Sequence, residues 1–198
     1  MNEKNEITAN VKYQQIMNAA QQLFYKYGLR RVAIEEICET ANVSKMTFYK
    51  FFQNKTDLIV KLLKALFEEG ITDFNKIVTA DIEFPDKVRL LIDMKRKQTE
   101  FMCLDLWHEL VQNPLPEVKQ LLDTQHEYFM KEFIDIFIQG QKDGDIRPDI
   151  KPEFINYMLN ILFEAGKDKN LLKMYDSTGG VADEIIKFYF YGILARND

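Results

Sequence analysis

The run ANVSKMTFYKFF, Ala41 to Phe52, decides how this chain is read. Ala41-Asn42-Val43 reads as a three-residue turn, because asparagine is one of the few non-glycine residues that tolerates a positive φ. Ser44 is a good N-cap, and the spacing predicts a helix from there through about residue 51. Phe48 and Phe52 fall on one side of it and are assigned to a core, with Phe51 partly packed. Ser44, Lys45, Met46, Thr47 and Lys50 are left for the outer face.

Working outward, a short helix precedes the turn at about residues 34–40. Glu35 and Glu36 in its first turn suit the positive end of the helix dipole. Before it, Ile16, Ala19, Ala20, Leu23, Phe24 and Tyr27 recur at helical spacing and predict a helix over about residues 11–27. Gly28 then fits a left-handed C-terminal cap. Helix, tight turn, helix, with small Ala41 before the turn and Val43 inside it, is the helix-turn-helix layout. Ile37, Val43 and Phe48 would fill the wedge between the two helices, leaving the second to face a groove wide enough for a helix.

Past residue 54 the helical reading continues. Asn54 can cap a long fourth helix over about residues 55–78, roughly 35 Å at 1.5 Å per residue. Further helices are expected at about 84–97, 100–112, 117–142, 152–164 and 181–194, separated by glycine- or proline-bearing turns. No strand alternation is sustained. The chain therefore reads as all-α with about nine helices: a three-helix head over residues 1–54 and a helical body over 55–198.

Bulk properties agree with a small head joined to a larger body. The 198 residues carry a net charge of -5. Residues 1–60 hold eight lysines and arginines against six acidic residues, while the remainder holds 18 against 25. A mildly basic head on an acidic body fits a protein that meets a polyanion at one end. No apolar run approaches the ~20 residues of a membrane span, and the polar start Met1–Glu6 offers no signal-peptide core, so no membrane partner is expected. Cys38 and Cys103 are far apart, without metal or redox spacing, which points to free thiols in a reducing cytoplasm. His108 and His126 have no second ligand at metal spacing. Neither a phosphate-cradling glycine loop nor a nucleophile elbow is found, so neither an enzyme nor a bound cofactor or metal is expected.

Residues 11–58 resemble the DNA-binding head of the TetR family of bacterial transcriptional regulators. The resemblance is carried by Phe24-Tyr25-Lys26-Tyr27-Gly28, by Ala41-Asn42-Val43-Ser44, and by Thr47-Phe48-Tyr49-Lys50-Phe51-Phe52-Gln53-Asn54-Lys55-Thr56-Asp57-Leu58. It implies a cytoplasmic homodimer that binds a double-stranded DNA operator, most often as a ligand-responsive repressor. It also implies base contacts from Lys45, Met46 and Thr47, and phosphate anchoring by Tyr49 and Lys55, with Ser44 and Lys50 on the same face. The family's body encloses a pocket for a small hydrophobic effector, for which Phe101, Met102, Trp107, Phe129 and Phe133 are the candidates. Met158, Leu162, Ile185, Phe188 and Tyr189 on the last two helices are the candidates for the dimer interface. The alternative is a helix-turn-helix regulator whose body answers to a protein partner. Ala33 departs from the family's usual serine or threonine and removes an N-cap from the second helix. Met46 stands where a glycine is frequent.

Overall fold

The chain's computed structural model describes residues 3–99, 103–165, 168–175 and 178–193, and every element among the described residues is a helix. The helix α1 (Glu3–Tyr27) starts well ahead of its apolar stripe. No proline or glycine interrupts residues 3–15, so polar helix formers extend it beyond the point where packing begins. Gly28 ends it at φ +80°, with its N–H bonded 2.9 Å to the Phe24 carbonyl. The next helix, α2 (Ile34–Thr40), has no side-chain acceptor at Ala33. Half of a capping box remains, because the Ala33 N–H donates to Glu36 Oε2 at 2.8 Å. Asn42 adopts φ +51° in the turn, as its position requires. The α3 helix (Lys45–Phe51) is capped by Ser44, whose hydroxyl accepts from the Thr47 N–H at 3.1 Å.

The long α4 (Lys55–Val78) begins with a reciprocal cap. Asn54 Oδ1 accepts from the Asp57 N–H, and Asp57 Oδ2 accepts from the Gln53 N–H, both at 2.9 Å. Then follow α5 (Phe84–Thr99), α6 (Leu104–Val111), α7 (Pro116–Asp143), α8 (Pro152–Ala165), a single turn α9 (Lys169–Leu172) and α10 (Thr178–Ile193). One turn of helix is too short to show periodicity, which is why α9 has no counterpart in the sequence reading. The N-cap of α6 is Cys103, whose sulfur accepts from the Leu106 N–H at 3.4 Å.

The chain packs as two units. The first takes α1 to α3, α4 through Phe67, α6, and the start of α7 to Leu121. Phe24, Phe48, Phe52, Ile16, Ile37 and Leu58 are fully buried there. Tyr13 stacks on Phe52 at 5.3 Å between ring centres. The expected head boundary at residues 54/55 follows the last turn in the sequence. Packing continues past that turn, because Leu58, Ile59, Leu62 and Leu63 on α4 are buried as well.

The second unit comprises the rest of α4, α5, α7 from Leu122, and α8 to α10. Its core gathers Phe84, Val88, Ile92, Phe137, Ile146, Ile155 and Tyr189, and α5 packs along α10. Gly144, at φ +86°, ends α7 and lets the Ile146 N–H return 3.1 Å to the Gly140 carbonyl. A Cβ at Gly140 would sit 2.9 Å from Ile146 Cδ1, so the Ile146 side chain would have to shift to admit one. No helix among the described residues is long and apolar enough to cross a membrane.

Candidate nucleic-acid interface

The α3 helix divides by side. Phe48 and Phe52 are buried, and Phe51 is half-buried with its ring edge-on to Tyr13. On the other side Met46 is 73% exposed and Tyr49 55%, with Ser44, Lys45 and Lys50 beside them. Thr47 is half-buried, and its hydroxyl shares a 3.0 Å hydrogen bond with that of Ser44. Six of the seven residues expected at DNA thus fall on one helix and its cap. Lys45 makes an ion pair with Glu35 across the turn. The hydrogen bond between them raises the lysine above its usual pKa and lowers the glutamate. Both are solvent-exposed, so the pair holds Lys45 only loosely and leaves it available to a better anion.

Lys55 sits apart from this face. Its ammonium donates to the carbonyls of Val32 at 2.9 Å, Leu29 at 3.0 Å and Arg30 at 3.1 Å. An ammonium has three donors, so these bonds commit all of them to the backbone between α1 and α2. Burial pushes its pKa down, opposed by the charges of Glu109 and Glu36. What Lys55 does in this structure is hold the connection that leads into the helix-turn-helix.

The opposite polarity of that connection is met from α6. Glu109 accepts from the Leu29 N–H, and both of its oxygens lie 3.2 Å from the Arg30 nitrogen. The Arg30 guanidinium donates to the Asn113 carbonyl at 2.9 Å, and the Cys103 N–H to that of Tyr25 at 2.9 Å. One carboxylate and one ammonium, from helices far apart in the chain, therefore clamp residues 29–32. Sequence reasoning missed this role for Glu109. The contact spans 80 residues and has no local signature. Gly28, whose bend exposes these groups, was the only hint. Next to the clamp, the Tyr27 ring has the Lys26 ammonium 4.9 Å from its centre and the Arg31 guanidinium at 4.4 Å.

The other candidates disperse. Phe101 and Met102 lie outside the described residues, and the side chain of Trp107 is likewise not described. Phe129 packs edge-on to Phe74 at 5.8 Å, and Phe133 lines the cavity of the second unit. On the last helices, Met158 and Leu162 pack against that unit's core, Tyr189 belongs to it, and Ile185 is half-buried. Phe188 alone of the five is strongly exposed, at 77%. Among the described side chains of the two helices, the large apolar ones that are exposed are Phe154, Tyr157 and Ile161 on α8 and Phe188 and Tyr191 on α10. Their spacing of three and four residues puts each set on one helix face.

A capped helix with an exposed basic and polar face, set by a tight turn against a second short helix, defines a helix-turn-helix DNA-binding module. Residues 16–62 match the family model described as bacterial regulatory proteins, tetR family. Residues 16–62 thus carry the helix-turn-helix DNA-binding head of the TetR family of transcriptional regulators. The chain is 22% identical over 152 residues to the uncharacterized HTH-type transcriptional regulator YhgD of Bacillus subtilis, covering 76% of this chain and 79% of that one. It is 41% identical over 54 residues to the HTH-type transcriptional regulator TtgR of Pseudomonas putida, covering 27% of this chain and 26% of that one. Among solved structures, a transcriptional regulator from Saccharomonospora viridis in complex with choline superposes with a TM-score of 0.73 at 17% identity. That match covers 93% of this chain and 98% of the other.

Proposed function

We propose that the chain is a homodimeric, ligand-responsive repressor that places α3 in the major groove of a near-palindromic operator. The observation that carries the reading is the two-sided α3, with Phe48 and Phe52 buried while Met46, Tyr49, Lys45 and Lys50 face solvent. Lys45, Met46 and Thr47 are the base-reading set, with Ser44, Tyr49 and Lys50 on the phosphates. Lys55 acts indirectly, by fixing the connection into α2. Two copies joined through the exposed faces of α8 and α10 would present their α3 helices to successive grooves, about 34–36 Å apart. A cavity in the second unit favours a small-molecule effector over a protein partner, which would need no such space. The effector acts by binding the DNA-released arrangement better than the operator-bound one, a difference of typically 1–3 kcal/mol.

The experiment is selection of binding sites from random DNA, followed by affinity measurements over a range of salt. Lys50→Ala should flatten the salt dependence by about one phosphate contact, whereas Lys55→Ala should lower stability and leave the slope unchanged. Selection that enriches no sequence, or a Lys50→Ala slope equal to the native one, would overturn the reading of α3.

A further inference from the structure

In the second unit, a cavity of about 320 Å³ lies among the end of α4, the start of α5, the latter half of α7, and α8 and α10. It is at the lower end of the ~300–1,000 Å³ found for ligand sites. Its walls combine polar and apolar surface, and the apolar part is rich in rings: Phe84, Phe133, Phe137 and Tyr189, together with Val88 and Leu159. Four carboxylates also line it, Asp81, Glu83, Asp143 and Asp145, against one cation, Lys87. Asp81, Glu83 and Asp143 are exposed, which places these charges at the mouth, over an apolar interior. The Lys87 ammonium is drawn to the Val78 carbonyl at 3.0 Å, at the C-terminal end of α4. Asp143 accepts from the Gln139 side chain at 2.9 and 3.0 Å, bonds that orient it without neutralising it.

Three ligand classes fit this space differently. An organic anion would carry its charge past four carboxylates with one lysine to offset them. A metal ion needs convergent ligands, and no group of three or more histidine, cysteine, aspartate or glutamate side chains among the described residues could hold one. An organic cation satisfies both parts of the site. Its apolar groups fill the ring-lined interior, and its charge meets the faces of Phe and Tyr rings on one side and the carboxylate mouth on the other.

We propose that this cavity binds a small organic cation, an ammonium bearing apolar substituents, as the effector. The proposal rests on the ligand-responsive reading above and names the chemistry of its ligand. Of the two pocket candidates whose side chains are described, Phe129 and Phe133, it is Phe133 that lines the cavity.

Calorimetric titration of the full chain tests it, with benzyltrimethylammonium and the anionic phenylpropionate as probes of similar size. The cation should bind saturably with sub-millimolar affinity, at least tenfold tighter than the anion. The triple variant Asp81→Asn, Glu83→Gln, Asp145→Asn should weaken the cation at least tenfold. Two of its three positions are exposed, so its melting temperature should stay close to native, and the anion provides a second comparison. Equal or tighter binding of the anion, no saturable binding of the cation, or full affinity in the triple variant would each overturn the proposal. Cation binding that leaves affinity for the selected operator unchanged would uphold the site's chemistry and overturn the ligand-responsive reading instead.

Discussion

Glu109→Ala removes one half of the clamp on residues 29–32, and its cost can be worked from the structure. Leu29 is only 3% exposed, so its N–H, once the carboxylate is gone, has little access to water. Arg30 is exposed, and its N–H can turn to solvent. The penalty therefore falls mainly on one buried donor that loses a charged acceptor, about 2 kcal/mol. At 1.4 kcal/mol per decade, the local opening equilibrium should shift roughly 30-fold. Native-state hydrogen exchange reads this at the Leu29 amide, with Phe24 in α1 as an internal reference that should change far less. Glu109→Gln keeps an uncharged acceptor in place and should lose about half as much. Operator affinity should fall in the same order, Ala below Gln below native, because the connection sets the position of α2 and hence of α3. Unchanged Leu29 protection in Glu109→Ala would refute the clamp, whatever happened to DNA binding.

Two further substitutions probe the same unit. Gly28→Ala should cost about 1–2 kcal/mol for the left-handed backbone alone. The new Cβ would also lie 3.1 Å from Glu109 Oε2, so the cost measured in urea should shrink in a Glu109→Ala background. Asp57→Asn should cost about 1 kcal/mol at neutral pH. Burial works to raise the Asp57 pKa, but the Gln53 N–H and the Lys61 ammonium outweigh it and hold the carboxyl below its ordinary value. The folded pKa is thus below the unfolded one. The stabilisation is complete above the unfolded value of ~3.9 and fades as pH falls through the folded value. Urea melts should therefore show native and Asp57→Asn converging below about pH 4, and a gap that stays constant into that range would contradict the assignment.

The head was legible because its determinants are local. Asn42 at positive φ, Ser44 as cap and Ala41 at the close approach all act within a few residues, and each stands where the sequence placed it. Lys55 shows where local reading stops. A lysine opening a helix reads alike whether its ammonium faces a phosphate or a carbonyl. What decides it is that Gly28 turns the chain so that three carbonyls, 23 to 26 residues upstream, converge on one point. Glu109 is harder still, because its partners are 79 and 80 residues away and none of them has a distinctive side chain.

The last helix is hard to read for a different reason. Neighbouring residues on a helix point 100° apart, so a run that is aromatic on every side carries no phase of its own. Periodicity could mark Phe188 and Tyr189 as apolar, but not which one meets the core. The answer, 77% exposed against 8%, comes from the packing of α5 along α10. The same logic separates the cavity from its sequence signal. Aromatic residues mark a core in general, whereas the space within it depends on how five helices meet. The carboxylates that give the cavity its charge lie in the turns and helix ends around residues 81–83 and 143–145, where acidic residues are ordinarily solvated and draw no notice.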